Sequence, residues 1–148
     1  MEIQQDFNDL LKLFNAHKVN YLIVGGYALA YHGYPRYTGD IDIYVKPDTL
    51  NASKIMIALN EFGFGSVGIN QEDFESPDKV IQLGVPPVRI DIVTSISGIT
   101  WDEAYAQCVN GKYGDTPVKF IGLKELIVNK RATGRKKDIS DLESLGEE

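Results

Sequence analysis

Asp40 and Asp42 are the residues best placed to do chemistry in this chain of 148 residues. They flank one isoleucine in Asp40-Ile41-Asp42-Ile43-Tyr44-Val45. The alternation is that of a strand with one covered face, so both carboxylates project from the same side. Two carboxylates this close repel, and one tends to take up a proton unless a cation sits between them. A hard divalent cation with oxygen ligands is the natural occupant. A third carboxylate, Asp91, lies in Val88-Arg89-Ile90-Asp91-Ile92-Val93. A charge between two isoleucines is costly unless it is paired or bound to a cation. Alternation also puts Arg89 on the face of Asp91, so a structural ion pair between them is the competing explanation. If the two strands are neighbours, Asp40, Asp42 and Asp91 converge. Three carboxylates suffice for two-metal chemistry on a nucleotide: one cation holds the triphosphate and its leaving group, and the other lowers the pKa of an attacking hydroxyl.

Other residues could hold the phosphates. Tyr21-Leu22-Ile23-Val24 ends at Gly25-Gly26, and 13 residues separate that pair from Asp40. Glycines at the mouth of a helix let the backbone come close to a ligand, and the first amides of the helix have no internal partners. Arg36 and Thr38 precede the aspartate strand and could reach a phosphate, or be an exposed loop arginine and a turn threonine. Lys130, Arg131, Arg135, Lys136 and Lys137 form a basic cluster in an acidic chain. They are either a phosphate-facing surface or a solvated helix end. Tyr27, Tyr31, Tyr34 and Tyr37 could stack on a base or an acceptor, or simply pack. His32 reads as a helix-surface or packed histidine rather than a catalytic one, and Trp101 and Cys108 read as core.

The elements that must position these groups follow from periodicity. Ile3, Phe7, Leu10, Leu11 and Phe14 give residues 2–17 a helical stripe. A buried strand follows at 21–24, then a short helix over 27–34 stopped by Gly33, Tyr34 and Pro35. The strand at 40–45 leads to a helix over 48–62, with Gly63 as its stop. Residues 64–78 read as a weak strand and a loop. Two strands, 80–84 and 88–93, are joined by Val85-Pro86-Pro87. A helix over 101–108, a turn over 111–115 and a last strand over 118–121 come next. A helix over 123–132 is broken by Gly134, and another runs over 136–145. Strands alternating with helices predict an α/β (α+β) fold, with a mixed β-sheet flanked by helices in one domain over 1–148.

Bulk properties narrow the function. With 43% hydrophobic and 24% charged residues, the chain has the profile of a globular protein rather than a disordered one. A single cysteine excludes an intrachain disulfide and a Cys-rich zinc site. Two histidines make an all-nitrogen metal site unpromising. The N-terminal residues are polar and acidic, no membrane span is expected, and a cytoplasmic protein is the simplest expectation. A net charge of −6 weighs against broad binding to nucleic acid, though not against a local basic pocket for one nucleotide.

Gly25-Gly26, the spacer, Asp40-Ile-Asp42 and the later Asp91 resemble the signature of the DNA polymerase beta-like nucleotidyltransferase superfamily. More narrowly, Tyr21-Leu-Ile-Val-Gly-Gly-Tyr-Ala-Leu-Ala-Tyr-His-Gly33 with Arg36, Thr38 and Asp40-Ile-Asp42 resembles the small bacterial minimal nucleotidyltransferases. That group includes relatives of abortive-infection toxins. The likeness spans roughly residues 21–141. It implies two Mg2+ ions, an NTP co-substrate such as ATP, and transfer of a nucleoside monophosphate to a hydroxyl. The acceptor stays open: a small molecule, a tRNA end or a protein side chain. The resemblance gives Asp40, Asp42 and Asp91 metal-binding and catalytic roles. Gly25, Gly26, Tyr27, Arg36, Thr38, Lys130 and Lys137 are the nucleotide-binding candidates. Many active members have Ser directly after the glycine pair, where this chain has Tyr27. The alternative is a nucleotidyltransferase-fold module that has lost catalysis and serves as a binding or toxin–antitoxin partner. A homodimer is a further expectation.

Overall fold

A computed structural model describes residues 3–35, 38–63, 68–85 and 88–147. The chain opens with helix α1, Gln5–Ala16, whose Phe7, Leu10, Leu11 and Phe14 are buried. Ile3 lies before the helix and is exposed, so it is not part of the stripe. Strand β1, Tyr21–Val24, is buried throughout and runs directly into helix α2, Gly25–Tyr31. That helix starts two residues earlier than its apolar pattern suggests, because Gly25 turns the chain at a left-handed φ of 67°. Strand β2, Asp40–Val45, leads to helix α3, Thr49–Phe62. Asp48 caps α3 by accepting from the Asn51 amide, and Gly63 ends it in the left-handed conformation.

Within 64–78 the expected strand is not found among the described residues. Gln71–Phe74 is instead a 3-10 turn that buries Phe74. Residues 64–67 lie outside the described residues, as do Pro86 and Pro87 of the expected turn. Strands β3, Val80–Val85, and β4, Val88–Val93, pair antiparallel. Helix α4, Trp101–Ala106, carries a capping box between Thr100 and Glu103. The expected turn over 111–115 is mostly strand. Val109–Tyr113 forms β5, and only Gly114 and Asp115 separate it from β6, Thr116–Phe120. Helices α5, Leu123–Thr133, and α6, Lys136–Ser144, meet at Gly134.

The six strands form one mixed sheet in the order β3-β4-β2-β1-β6-β5, flanked by the helices. The pairing that matters for the site is β2 with β4, which is parallel and sets Asp42 opposite Asp91 and Asp40 opposite Arg89. On its other edge β2 pairs antiparallel with β1, setting Val24 opposite Asp42. Ile41, Ile43 and Val45 are fully buried, while Asp40 and Asp42 keep partial access to solvent on the opposite face. Tyr44 shares that face but is covered by Trp101, ring centroids 5.0 Å apart. The carboxylate face is therefore closed at one end of β2 and open at the other. Among the described residues, no helix is long and apolar enough to cross a membrane.

A buried side chain fixes the ends of β1 and β2. Asn51 accepts from the Asn20 amide at 2.8 Å and donates to the carbonyls of Asn20 and Lys46, each at 3.0 Å. Replacing it leaves buried backbone groups without partners. We expect Asn51→Ala to cost about 2–3 kcal/mol in urea unfolding. A loss below about 0.5 kcal/mol would mean that water replaces the clamp.

Candidate active site

The open end of the carboxylate face floors a cleft of about 810 Å³. Gly25, Gly26, Thr38, Asp40, Asp42, Arg89, Asp91, Lys130, Arg135 and Lys137 all line it. Most of the predicted site residues thus meet in one place, although they come from β1–α2, β2, β4 and α5–α6. Arg36 and Tyr37 lie outside the described residues.

The glycine pair makes room for its neighbours. A Cβ on Gly25 would run into the Asp42 carboxylate, and one on Gly26 would lie 2.9 Å from Thr38. No side chain caps the start of α2. Its first amides are therefore not committed to a cap. Thr38 donates to the Asp40 carbonyl at 3.1 Å, which holds the approach to β2.

Arg89 was missed as a site residue, although the strand alternation already placed it beside Asp91. One Nη2 donates to Asp40 at 2.6 Å and to Asp91 at 3.2 Å. Arg89 Nε and Asp91 Oδ1 are also 3.2 Å apart. That contact is an ion pair without hydrogen-bond geometry, and neither buried atom has a hydrogen-bond partner among the described residues. Asp42 has no ion pair among the described residues. Burial, then the charge of Asp91 and more weakly that of Asp40, push its carboxyl up to about 6, against the pull of Lys137 and Arg135. Among the described residues, no three His, Cys, Asp or Glu side chains are grouped closely enough to form a ready-made metal cage. The Arg89 guanidinium lies between Asp40 and Asp91.

Whether the residues fit a cation is decided by the donors left over. Asp42 and Asp91 sit side by side in register. One Asp91 oxygen is unbonded and buried, and Asp42 is neutralised only at a distance. Oxygen ligands with unspent charge are what a hard cation takes. The fit is to Asp42 and Asp91, with Asp40 within reach on the same strand.

The basic cluster divides in two. Lys130 is almost fully buried, its amine 2.8 Å from Asp141 and 3.5 Å from Asp138. Asp138 also accepts from Thr133 at 2.6 Å and from Arg135 Nε at 2.8 Å. Burial alone would raise the Asp138 carboxyl, but the bonds from Arg135 and Thr133 and the charges of Arg135 and Lys130 hold it below the usual range. Lys130 thus stands in the cleft wall with its charge already engaged. Arg135 and Lys137 are exposed and act on Asp42 through space.

The three described tyrosines of this group do not form a wall. Tyr27 is buried, its ring 5.8 Å from Phe7 and 5.9 Å from Tyr113, so its side chain belongs to the core. Tyr31 stacks on Phe120 at 4.1 Å, and Tyr34 is exposed; neither lines the cleft. His32 bonds the Ile121 carbonyl at 2.8 Å and packs as expected.

A family described as nucleotidyl transferase of unknown function (DUF2204) matches residues 3–148. The chain belongs to this family. Two solved structures share the fold of this DUF2204 nucleotidyl transferase. TM1012 from Thermotoga maritima, provisionally named a nucleotidyltransferase, superposes with a TM-score of 0.61 at 18% identity, covering 95% of this chain and 88% of its own. The lincosamide antibiotic adenylyltransferase LnuA, solved with lincomycin bound, gives a TM-score of 0.56 at 16% identity, covering 99% of this chain and 98% of its own. No curated protein matches by sequence.

Two outcomes follow from this geometry. The folded-state value of Asp42 lies above the unfolded one, so the folded protein holds that proton more tightly. The contribution of Asp42 to stability is then full below about pH 4 and is lost as the pH rises through about 6. In EDTA, Asp42→Asn should exceed wild type above that range by on the order of 2 kcal/mol, the gap closing towards about pH 4. A pH-independent difference in urea unfolding would contradict this. Lys130→Met should cost about 3 kcal/mol by removing the buried cation that Asp138 and Asp141 share, while exposed Lys137→Met should change stability by less than about 0.5 kcal/mol. Equal effects of the two would refute the division of the cluster.

Proposed function

We propose that this DUF2204 nucleotidyl transferase moves a nucleoside monophosphate from an NTP to a hydroxyl, releasing pyrophosphate, with Mg2+ held by Asp42, Asp91 and Asp40. The observation that carries this reading is the parallel register of β2 and β4. It sets two carboxylates side by side on the floor of a cleft whose rim carries Arg135 and Lys137. Family membership supports the reaction class, and the register is what favours this location for it.

The roles follow from position. Two Mg2+ ions, when bound, neutralise the triphosphate and make the acceptor hydroxyl more acidic. Asp42 and Asp91 would be the principal ligands, with Asp40 beside Asp42 on β2. Asp91 also helps accept the hydroxyl proton as the new oxygen–phosphorus bond forms and the bond to pyrophosphate breaks. Gly25 and Gly26 present backbone to the phosphates without side-chain obstruction. Lys137 and Arg135 draw the polyanion to the cleft and offset its charge. Lys130 supports this rim through Asp138 rather than by direct contact. The net charge of −6 favours a small or locally recognised acceptor over long stretches of nucleic acid.

The alternative of NTP binding without transfer draws on one specific observation. Tyr27 stands where many active relatives have a serine, and its ring is in the core. Calorimetry with each NTP and Mg2+ measures binding, and label transfer measures the reaction.

The test uses α-labelled NTPs, Mg2+ and pooled metabolites, RNA and protein as acceptors. Wild type should label at least one acceptor, and EDTA should abolish the labelling. Asp42→Asn and Asp91→Asn should lower it by about 100-fold or more while the circular dichroism spectrum is unchanged. Undiminished transfer by either variant would refute the assignment.

A further inference from the structure

We infer that Arg89 is an internal counter-ion of the carboxylate face: its guanidinium competes with a divalent cation for Asp91 and must release that carboxylate for the cation to bind. The inference rests on the cation-binding part of the proposed function and on no other part of it.

The argument begins with the sheet. Parallel pairing of β2 and β4 brings three carboxylates onto one face, with Asp40 opposite Arg89 and Asp42 opposite Asp91. Like charges so placed favour a shared cation or a proton. Arg89 reaches across the strand pair rather than staying with its own neighbour. Its shortest bond, 2.6 Å, is to Asp40 on β2, and only then does it contact Asp91 on β4 at 3.2 Å. One guanidinium therefore bridges the two strands.

The bridge is imperfect where it meets Asp91. A guanidinium presents five donors in a fixed plane, and a carboxylate is best met by two parallel bonds. Here the Nε contact with Asp91 Oδ1 lacks hydrogen-bond geometry, and both atoms are left unbonded in a buried position. Unsatisfied buried polar atoms raise the energy of this arrangement. Asp42, the third carboxylate, is left out altogether. A small ion taking oxygen ligands has no fixed plane and can serve Asp91 and Asp42 together. Arg89 thus holds the carboxylates in place without matching what a cation would offer them.

A placeholder competes with the ion it stands for, whereas a supporting residue assists that ion. The two roles predict opposite effects on cation affinity. Mn2+ binding to nucleotide-free protein is measured by electron paramagnetic resonance and calorimetry, with thermal unfolding in EDTA and in saturating Mn2+. Arg89→Met should bind Mn2+ about tenfold more tightly than wild type. It should melt at a lower temperature in EDTA and recover most of that loss in Mn2+. Arg89→Lys, which keeps the charge but loses the fork, should fall between the two.

A measurement on the unaltered protein does not depend on how the variants fold. The Arg89 Nε–H resonance should shift as Mg2+ is added, in step with cation binding. Unchanged or weaker Mn2+ affinity in Arg89→Met, or an unmoved Nε–H resonance at saturating Mg2+, overturns the inference while leaving the cation site standing. Absence of Mn2+ binding in wild type and variant alike overturns both the inference and the metal-dependent reading. None of these measurements needs the acceptor or turnover.

Discussion

Three negative charges on one face of two adjacent parallel strands are the constraint around which this site is built. The β2–β4 register leaves Asp42 no other neighbour across the pair than Asp91. Such crowding is unfavourable in a partly buried setting, and the surrounding residues are arranged to offset it. Arg89 is drawn across to Asp40. Lys137 and Arg135 supply positive potential from α6 and the turn before it. Gly25 gives up a side chain so that the Asp42 carboxylate has space. Even so, the Asp42 carboxyl stays well above its ordinary value. A fold selected only for stability would place an apolar residue or an amide at one of these positions. Keeping all three acids is a cost that a polyanion with its cations can relieve.

Much of this was legible in the chain. The alternation in Asp40-Ile-Asp42-Ile fixed which face the acids take, and the glycine pair marked the strand-to-helix turn. Those signals are local, and period-2 patterning survives tertiary packing because one face is buried. β5 was not legible. Val109-Asn-Gly-Lys-Tyr113 is an edge strand with a half-exposed face and a central glycine, so it lacks an apolar pattern. The 3-10 turn at Gln71–Phe74 was equally hidden, because one buried phenylalanine among acidic residues carries no period. The resemblance makes Tyr27 a nucleotide-binding candidate by its position after the glycines. A helix that begins at Gly25 sends that ring to the core, against Phe7 and Tyr113.

The basic cluster shows the limit of reading charge by composition. Lys130 and Lys137 look alike in sequence, yet one is buried and the other exposed. The difference is made by Asp138 and Asp141 on the next helix, eight and eleven residues beyond Lys130. They become its neighbours only because Gly134 reverses the chain in a left-handed turn. A buried lysine with two carboxylates, a threonine and an arginine around one of them specifies how α6 sits on α5. That docking, rather than the lysine charge itself, determines where Arg135 and Lys137 stand relative to Asp42.

These features bear on how a triphosphate would be held. Thr38 is the hydroxyl nearest the glycine pair, but its proton is engaged with the Asp40 carbonyl, so it cannot donate to a phosphate without releasing the approach to β2. Lys130 is likewise engaged, and Tyr27 points away. On the proposed reading, direct contacts among the described residues would then fall to the backbone at Gly25 and Gly26, to Arg135 and Lys137, and to the cations themselves. Backbone and cations recognise phosphate charge and shape but not a base. On the proposed reading, and among the described residues, discrimination among nucleotides would come from the neutral part of the cleft, where Val80, Gln82, Val93, Ile96 and Ser97 line the wall. That wall holds no aromatic ring among the described residues, so it favours edge contacts and shape over stacking.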